Sequence, residues 1–275
     1  MGPKRRARRL FVTGATGYLG SHLLADAETD RWQIIAPPSR ALDLRSAASV
    51  DMAIADWRPS AIVHTAYRRD DRTAIVDASR HVARAAARYG ARLIHVSTDA
   101  LFEGRLAPYD EREPPTPVTA YGRDKADAEL VVRAECPRAV IVRTSLLVAG
   151  RRPGTQEQLV ADVVSGTSTT RFFTDEVRSP VRVEDVASGL LALAADGSVH
   201  GHVHLGGPRP FDRYELALAI AELNDWPTHR IAPTSLAEQG LTRPTRVVLD
   251  SSRATALGIT LRGPTRPAAR RPRSN

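Results

Sequence analysis

Apolar residues recur along the first half of the chain in two alternating periods. Short, nearly continuous apolar runs at 9–13, 33–36, 61–65, 93–97 and 139–146 predict buried strands. The segments between them space their apolar residues three and four apart, which predicts helices at 18–28, from 46 or 47 to 57, at 73–89, and again after a Pro-, Glu- and Asp-rich loop at 102–119. Val50, Ile54 and Trp57 fall on one face of the second helix. The punctuation agrees with these bounds: Pro37-Pro38 ends the second strand, Arg58-Pro59 stops the second helix, and Gly90 stands where a C-cap glycine belongs. Strand and helix in strict alternation predict an α/β fold, a parallel sheet with helices on both faces. Beyond Gly150 the pattern changes to a polar break at 151–155, a short helix at 157–164, an extended stretch at 171–183 and a helix at 184–195, with no internal repeat.

With 275 residues and 42% hydrophobic content the chain can build one large α/β domain and a smaller lobe. Its single cysteine, Cys136, excludes an intramolecular disulfide framework and a multi-cysteine metal site, fits a reducing cytoplasm, and is expected to be a bystander. The formal charge of +8 sits at the ends. Lys4, Arg5, Arg6, Arg8 and Arg9 in front, and Arg262, Arg266, Arg270, Arg271 and Arg273 behind, have no acid among them and leave the body slightly acidic. Basic ends at 1–8 and 263–275 are therefore expected to be solvated and disordered rather than a nucleic-acid interface. Leu10-Phe11-Val12 is too short for a signal peptide's apolar region, and no apolar stretch approaches the length of a membrane span, so a cytoplasmic protein is expected. His202-Val203-His204 puts two imidazoles on one face of a strand, but with no third ligand nearby no metal site is expected.

The chemistry begins at Thr13-Gly14-Ala15-Thr16-Gly17-Tyr18-Leu19-Gly20, after the first strand and opening a helix. Glycines at 14, 17 and 20 allow a tight turn, close approach of backbone to a pyrophosphate and close helix–sheet packing, with the helix N-terminus favouring phosphate charge. Dinucleotide binders that prefer NAD place an acid after the second strand; here Ser39 and Arg40 stand there with no acid before Asp43, so NADP(H) is favoured over NAD(H). About a hundred residues on, Tyr121-Gly122-Arg123-Asp124-Lys125 stacks a phenol and an ammonium on one helical face. The ammonium is expected to lower the phenol's pKa, so that Tyr121 protonates a carbonyl oxygen as hydride reaches its carbon, while Lys125 also holds the nicotinamide ribose. Thr98, at the carboxyl edge of the strand at 93–97, is the expected third hydroxyl. Either motif alone means little, but together they point to a nicotinamide-dependent reductase.

The G-x-x-G-x-x-G spacing resembles the extended short-chain dehydrogenase/reductases. Leu10 to Gly20, Ala41-Leu42-Asp43-Leu44, the run from Arg92 to Gly104, that from Pro117 to Glu129, Val142-Arg143-Thr144-Ser145, Ser179 to Ala187, and Arg243-Pro244 to Asp250 are similar, in order, to the dTDP-4-dehydrorhamnose reductase family. The resemblance implies a Rossmann-like doubly wound domain at 9–150, rejoined at about 180–205, with a smaller C-terminal substrate lobe at 151–179 and 206–262. It implies reduction of a nucleotide-linked 4-keto-6-deoxy sugar by Thr98, Tyr121 and Lys125. Asp43-Leu44 would lie near the adenine, and Thr65, Ala66 and Tyr67 would line the cofactor pocket. Dimerisation is common in that family, so a homodimer is among its implications. Two departures fall on the substrate side: Ala100 and Leu146 stand where the family usually has a tyrosine and a tryptophan. They leave open a different 4-keto sugar or another keto substrate. Relatives that regulate methionine adenosyltransferase keep the fold and even Tyr-x-x-x-Lys, which leaves open a non-catalytic, NADP-binding regulatory subunit.

Overall fold

The computed structural model describes residues 8–29 and 32–264. Its central sheet contains six parallel strands, β1 (Arg9–Thr13), β2 (Gln33–Ile35), β3 (Ala61–His64), β4 (Arg92–Thr98), β5 (Val140–Thr144) and β10 (Gly201–Leu205). Between β5 and β10 lie the two-residue strands β6 (Leu147–Val148), β7 (Phe172–Phe173), β8 (Val177–Arg178) and β9 (Val181–Arg182), and after β10 come β11 (Phe211–Asp212) and β12 (Pro233–Thr234). The helices are α1 (Tyr18–Thr29), α2 (Ala47–Trp57), α3 (Ala78–Tyr89), α4 (Ala120–Glu135), α5 (Thr155–Ser165), α6 (Val183–Ala195), α7 (Arg213–Leu223) and α8 (Ser252–Ala256).

The spatial order β10-β5-β4-β3-β1-β2 means that the chain leaves β1 in one direction and returns to its other side for β3. An open sheet of this kind holds its crevice where the order reverses, outside the carboxyl ends of β1 and β3. Alternate residues of β1 serve opposite cores, as the two-residue period of a strand requires. Leu10 and Val12 pack with α1 and α6, whereas Phe11 packs with Val50 and Ile54 of α2 and Val82 of α3. Trp57 completes the α2 face from a half-buried position, its ring 5.3 Å from Phe11. Each fully buried side chain of this size contributes roughly 1.5–3 kcal/mol. A separate core joins α5 and α7 through Val160, Phe172, Phe211 and Ile220.

Several bounds differ from the sequence pattern. The helix expected at 73–89 opens with a π-helical segment, Thr73–Asp77, before α3. The run at 139–146 is a strand only over β5, which ends at Thr144, and the next strand, β6, begins beyond it at Leu147 and pairs with β9. The extended stretch at 171–183 becomes three short strands whose partners are β12, β11 and β6. The basic C-terminal segment also needs correction. Arg262 grips Asp185, with Nη2 2.5 Å from Oδ1, the Gly263 carbonyl accepts from Arg182 Nε at 3.2 Å, and Pro264 is buried, so packing continues through 264. The other tail cations, Lys4, Arg5, Arg6, Arg266, Arg270, Arg271 and Arg273, lie outside the described residues. Among the described residues no helix is long and apolar enough to cross a membrane.

Beneath α4 the sheet carries a buried ion pair. Arg143 of β5 bonds both oxygens of Glu129, with Nη2 2.8 Å from Oε2, and the two side chains are 1% and 2% exposed. His202 Nε2 lies 3.2 Å from the same carboxylate. Burial alone would raise the Glu129 pKa, but the bonds from His202 and Arg143 hold it down to about 2. The pair's contribution is therefore complete above the ordinary value of 4.5 and is lost as pH falls through 4.5 toward about 2. Glu129→Ala leaves a buried guanidinium without its anion and should cost about 3–5 kcal/mol in urea unfolding at pH 7. That loss should shrink when the titration is repeated near pH 3.

Candidate functional site

Two cavities, of ≈ 650 and ≈ 620 Å³, meet at Gly14, Gly17, Thr65 and Tyr67 and form one trough at the β1/β3 reversal. Its floor is made by backbone in close contact. Gly14 has φ 71°, and a Cβ there would lie 2.8 Å from the Ala66 nitrogen. A Cβ on Gly20 would come within 2.2 Å of the Gly14 carbonyl oxygen, so only glycine lets α1 pack directly on the turn. Thr65 Oγ1 donates to the Thr13 carbonyl at 2.7 Å and joins the ends of β1 and β3. Tyr18 and Leu19 line the second cavity, but their side chains are committed to packing. The Tyr18 oxygen accepts from Gly150 N–H at 3.1 Å, and burial, then the Glu157 charge, push its pKa up.

The first cavity gathers Gly14, Thr16, Gly17, Ser39, Arg40, Asp43, Leu44, Thr65, Ala66 and Tyr67. Arg45 and Arg68, which the sequence pattern did not single out, line it too. The Asp43 carboxylate, expected near an adenine, is occupied by Arg45: Nε lies 3.0 Å from Oδ1 and Nη2 3.0 Å from Oδ2. The Arg45 bonds hold the Asp43 pKa below the usual carboxylate range. Three guanidinium groups thus line a cavity whose one carboxylate is already paired, a charge balance that suits a phosphate-bearing ligand.

Thr98, Tyr121 and Lys125 line the second cavity. Thr98 ends β4 and caps the 3-10 turn Asp99–Leu101, its Oγ1 accepting from Ala100 N–H at 3.2 Å. Thr119 caps α4 by accepting from Gly122 N–H at 3.0 Å. A Cβ on Gly122 would lie 2.4 Å from the Ala100 carbonyl oxygen, so the glycine between Tyr121 and Lys125 brings α4 against the Thr98 turn. Lys125 Nζ donates to the Val96 carbonyl at 2.8 Å, and burial lowers its pKa to about 8 against the opposing pull of Glu129.

The expectation that Lys125 lowers the Tyr121 pKa is not met in this structure. Burial, then the neighbouring Tyr67, raise the phenol's pKa, and the cation that opposes them is Arg69, whose guanidinium stands 4.6 Å from the Tyr121 ring centre. The Lys125 ammonium is instead turned to the Val96 carbonyl. Nothing in the local pattern marked Arg69. Ala100 and Leu146 also face this cavity, so the two positions that depart from the family pattern do border it.

Asp99 is buried beside Thr98 and accepts from Ser145 Oγ at 2.6 Å. Ser145 Oγ accepts from Ser179 N–H at 3.2 Å, and Ser179 Oγ from Leu249 N–H at 3.1 Å. This chain of bonds links the Ser-Thr-Asp, Arg-Thr-Ser and Arg-Pro-to-Asp250 stretches, which were legible as motifs although their contact was not. Burial raises the Asp99 pKa, opposed mainly by Arg178 and Ser145. His202 and His204 sit apart from the cavity. His202 serves Glu129, His204 is buried near Phe102, and among the described residues no group of three or more potential ligands gathers to hold a metal.

The chain matches the family model described as RmlD substrate binding domain over residues 8–271. It is 32% identical over 289 residues to methionine adenosyltransferase 2 subunit beta of Pongo abelii, covering 94% of this chain and 85% of that protein. It is 34% identical over 252 residues to dTDP-4-dehydrorhamnose reductase of Mycobacterium tuberculosis, covering 85% and 81%. The crystal structure of dTDP-4-dehydrorhamnose reductase from Bacillus anthracis, in complex with NADP, superposes with a TM-score of 0.85 at 24% identity over 94% of this chain and 96% of that one, a likeness of fold.

Lys125 supplies a sign-definite test of the site's electrostatics. Its folded pKa of about 8 lies below the ordinary 10.5, so between these values the unfolded chain binds more protons and stability rises with pH. Lys125→Met removes this titration. The variant should be the more stable protein in urea at pH 7, and the difference should close as pH is raised from about 8 toward 10.5. An unchanged difference across that range would place the burial cost elsewhere.

Proposed function

The chain belongs to the RmlD substrate binding domain family, and from that membership we propose that it reduces a nucleotide-linked 4-keto-6-deoxy sugar with NADPH in the cytoplasm. The observation that carries this reading is the meeting of Thr98, Tyr121 and Lys125 in a cavity continuous with the glycine trough. The residues present fit a dinucleotide. A Cβ would fill the cradle at Gly14 and Gly20, and Arg40, Arg45 and Arg68 beside Ser39 suit a 2′-phosphate. When bound, the dinucleotide supplies the hydride that reaches the keto carbon.

The protein's part is to place and protonate. Tyr121 gives its phenolic proton to the carbonyl oxygen, so the carbonyl π bond is replaced by one C–H and one O–H bond. Burial raises the Tyr121 pKa and keeps the phenol protonated in the free protein, and the Arg69 charge opposes that rise. Thr98 Oγ1 hydrogen-bonds the same oxygen, and Lys125 holds the ribose. Arg69, over the Tyr121 ring, stabilises the phenolate that forms.

A second reading is favoured by the likeness to a methionine adenosyltransferase subunit, namely a protein that binds the dinucleotide and a partner without turnover. Ala100 and Leu146 favour a third, a reductase of a different keto substrate.

NADPH oxidation, followed by nicotinamide absorbance with a dTDP-4-keto-6-deoxyhexose, tests these readings. Turnover is expected, and Tyr121→Phe should lower kcat by about 10²–10⁴-fold while leaving NADPH affinity intact. Tight NADPH binding with no oxidation across several keto sugars would transfer the assignment to the regulatory reading. Arg40→Ala should weaken NADPH more than NADH, measured as the ratio of their dissociation constants; equal losses would remove Arg40 from the 2′-phosphate.

A further inference from the structure

The face of the sheet beneath α4 is polar, although a parallel sheet covered by helices is ordinarily apolar there. The pairing register puts His64, His95, Ser97, Arg143, His202 and His204 on this one face, across β3, β4, β5 and β10. All but His202 are buried. Onto them α4 lowers Lys125 and Glu129, which stand four positions apart and so lie one helical turn from each other. Both are buried as well, Lys125 at 5% and Glu129 at 2% exposure. The ion pair of Glu129 and Arg143 therefore lies next to a site residue, and its place there has a consequence beyond stability.

The two charges on α4 are supported unequally. Glu129 is fixed by Arg143 from β5 and by His202 from β10, and Ser97 of β4 stands beside the same carboxylate. The Lys125 ammonium donates to a neutral group, the Val96 carbonyl, at 2.8 Å. The histidines behind it do not answer its charge. His64 bonds Thr13 and Ser79, and burial holds it neutral with a pKa of about 3. His95 is held neutral by burial too, and neither of its ring nitrogens has a hydrogen-bond partner. On the cavity side Tyr67 presents its ring 5.8 Å from Nζ, Arg69 stands over the Tyr121 ring, and the Asp99 carboxylate is turned to Ser145. Glu129 is the anion that favours the charged form of Lys125.

We propose that Glu129 is a positioning residue of the site: gripped by Arg143 and His202, it holds Lys125 as an ammonium turned toward the dinucleotide ribose. An ammonium has three N–H donors, and with one on the Val96 carbonyl two remain for the ribose hydroxyls, whereas a neutral amine has only two in all. The grip matters as much as the charge. A carboxylate free to turn would draw the ammonium into a direct ion pair beneath α4; Arg143 and His202 keep it back, and Lys125 stays at the end of β4. The role rests on the dinucleotide binding that the reductase and regulatory readings share, and not on turnover.

Lysine stands at only two positions of the chain, Lys4 and Lys125. NMR of the full-length protein, isotope-labelled at the lysine Cε, therefore follows the group directly, and Lys125→Met identifies its signal. The Lys125 midpoint, about 8 in the wild type, should fall by about one pH unit or more in Glu129→Gln. Glu129→Gln/Arg143→Met removes the whole pair and leaves no unmatched buried charge, a replacement that proteins commonly accept, and it should move the midpoint the same way. In both variants NADPH affinity, measured by calorimetry, should be weaker than in the wild type by about threefold or more at about pH 8 and nearly equal to it at about pH 6. A merely structural Glu129 gives the opposite sign, because loosened packing exposes Lys125 and lets its midpoint rise toward the ordinary 10.5. Such a rise, or an unchanged midpoint in both variants, would overturn the role. Neither measurement needs a keto substrate, so a lack of NADPH oxidation would sink the reductase reading and leave this one standing.

Discussion

The site depends on one close contact of backbone with backbone. The turn after β1, the first turn of α1 and the end of β3 meet at Gly14, Gly20, Thr65 and Ala66 with no room for a side chain between them. That contact sets α1 on the sheet and opens the trough between β1 and β3, where strand order reverses. A methyl group at Gly20 would collide with a carbonyl oxygen, and main chain cannot move aside as a long side chain can.

The same device recurs at the other end of the trough. Gly122 lets α4 rest on the Ala100 carbonyl, so Tyr121 and Lys125 approach the Thr98 turn without any long connecting side chain. Behind that turn, hydrogen bonds run from Leu249 through Ser179 and Ser145 to Asp99. They join the late segment to the ends of β4 and β5. The late segment is held there by these polar bonds and by Val247 and Leu249, which pack with Leu101, Phe102 and Ala126, while α5 and α7 share a separate core.

Desolvation, more than pairing, sets the electrostatics around the proposed chemistry. It raises Tyr121, lowers Lys125 and raises Asp99, in each case against or without help from the nearest opposite charge. Elsewhere pairing wins: at Glu129, contacts from Arg143 and His202 overcome the burial penalty. The difference lies in geometry. Glu129 receives bonds from cationic or imidazole partners at 2.8–3.2 Å, whereas the cation at Tyr121 stands over its ring face. Buried groups without a close opposite charge keep unusual proton affinities, as groups at catalytic sites commonly do.

The sequence by itself determined the order of the first elements, the two faces of the sheet and the glycine turn, because each rests on local periodicity or on residues with special backbone freedom. It also placed Thr98, Tyr121 and Lys125 at a strand end and on one helical turn, positions that follow from spacing alone. The tertiary structure alone decided what spacing cannot carry. Arg69 reaches Tyr121 from the loop after β3, and Arg262 finds Asp185 from 77 residues away. Glu176 gathers arginines from β8, the start of α7 and the segment near Pro244. Charge acts through space and gives way to burial, and both depend on neighbours that a linear pattern of apolar and polar residues does not record.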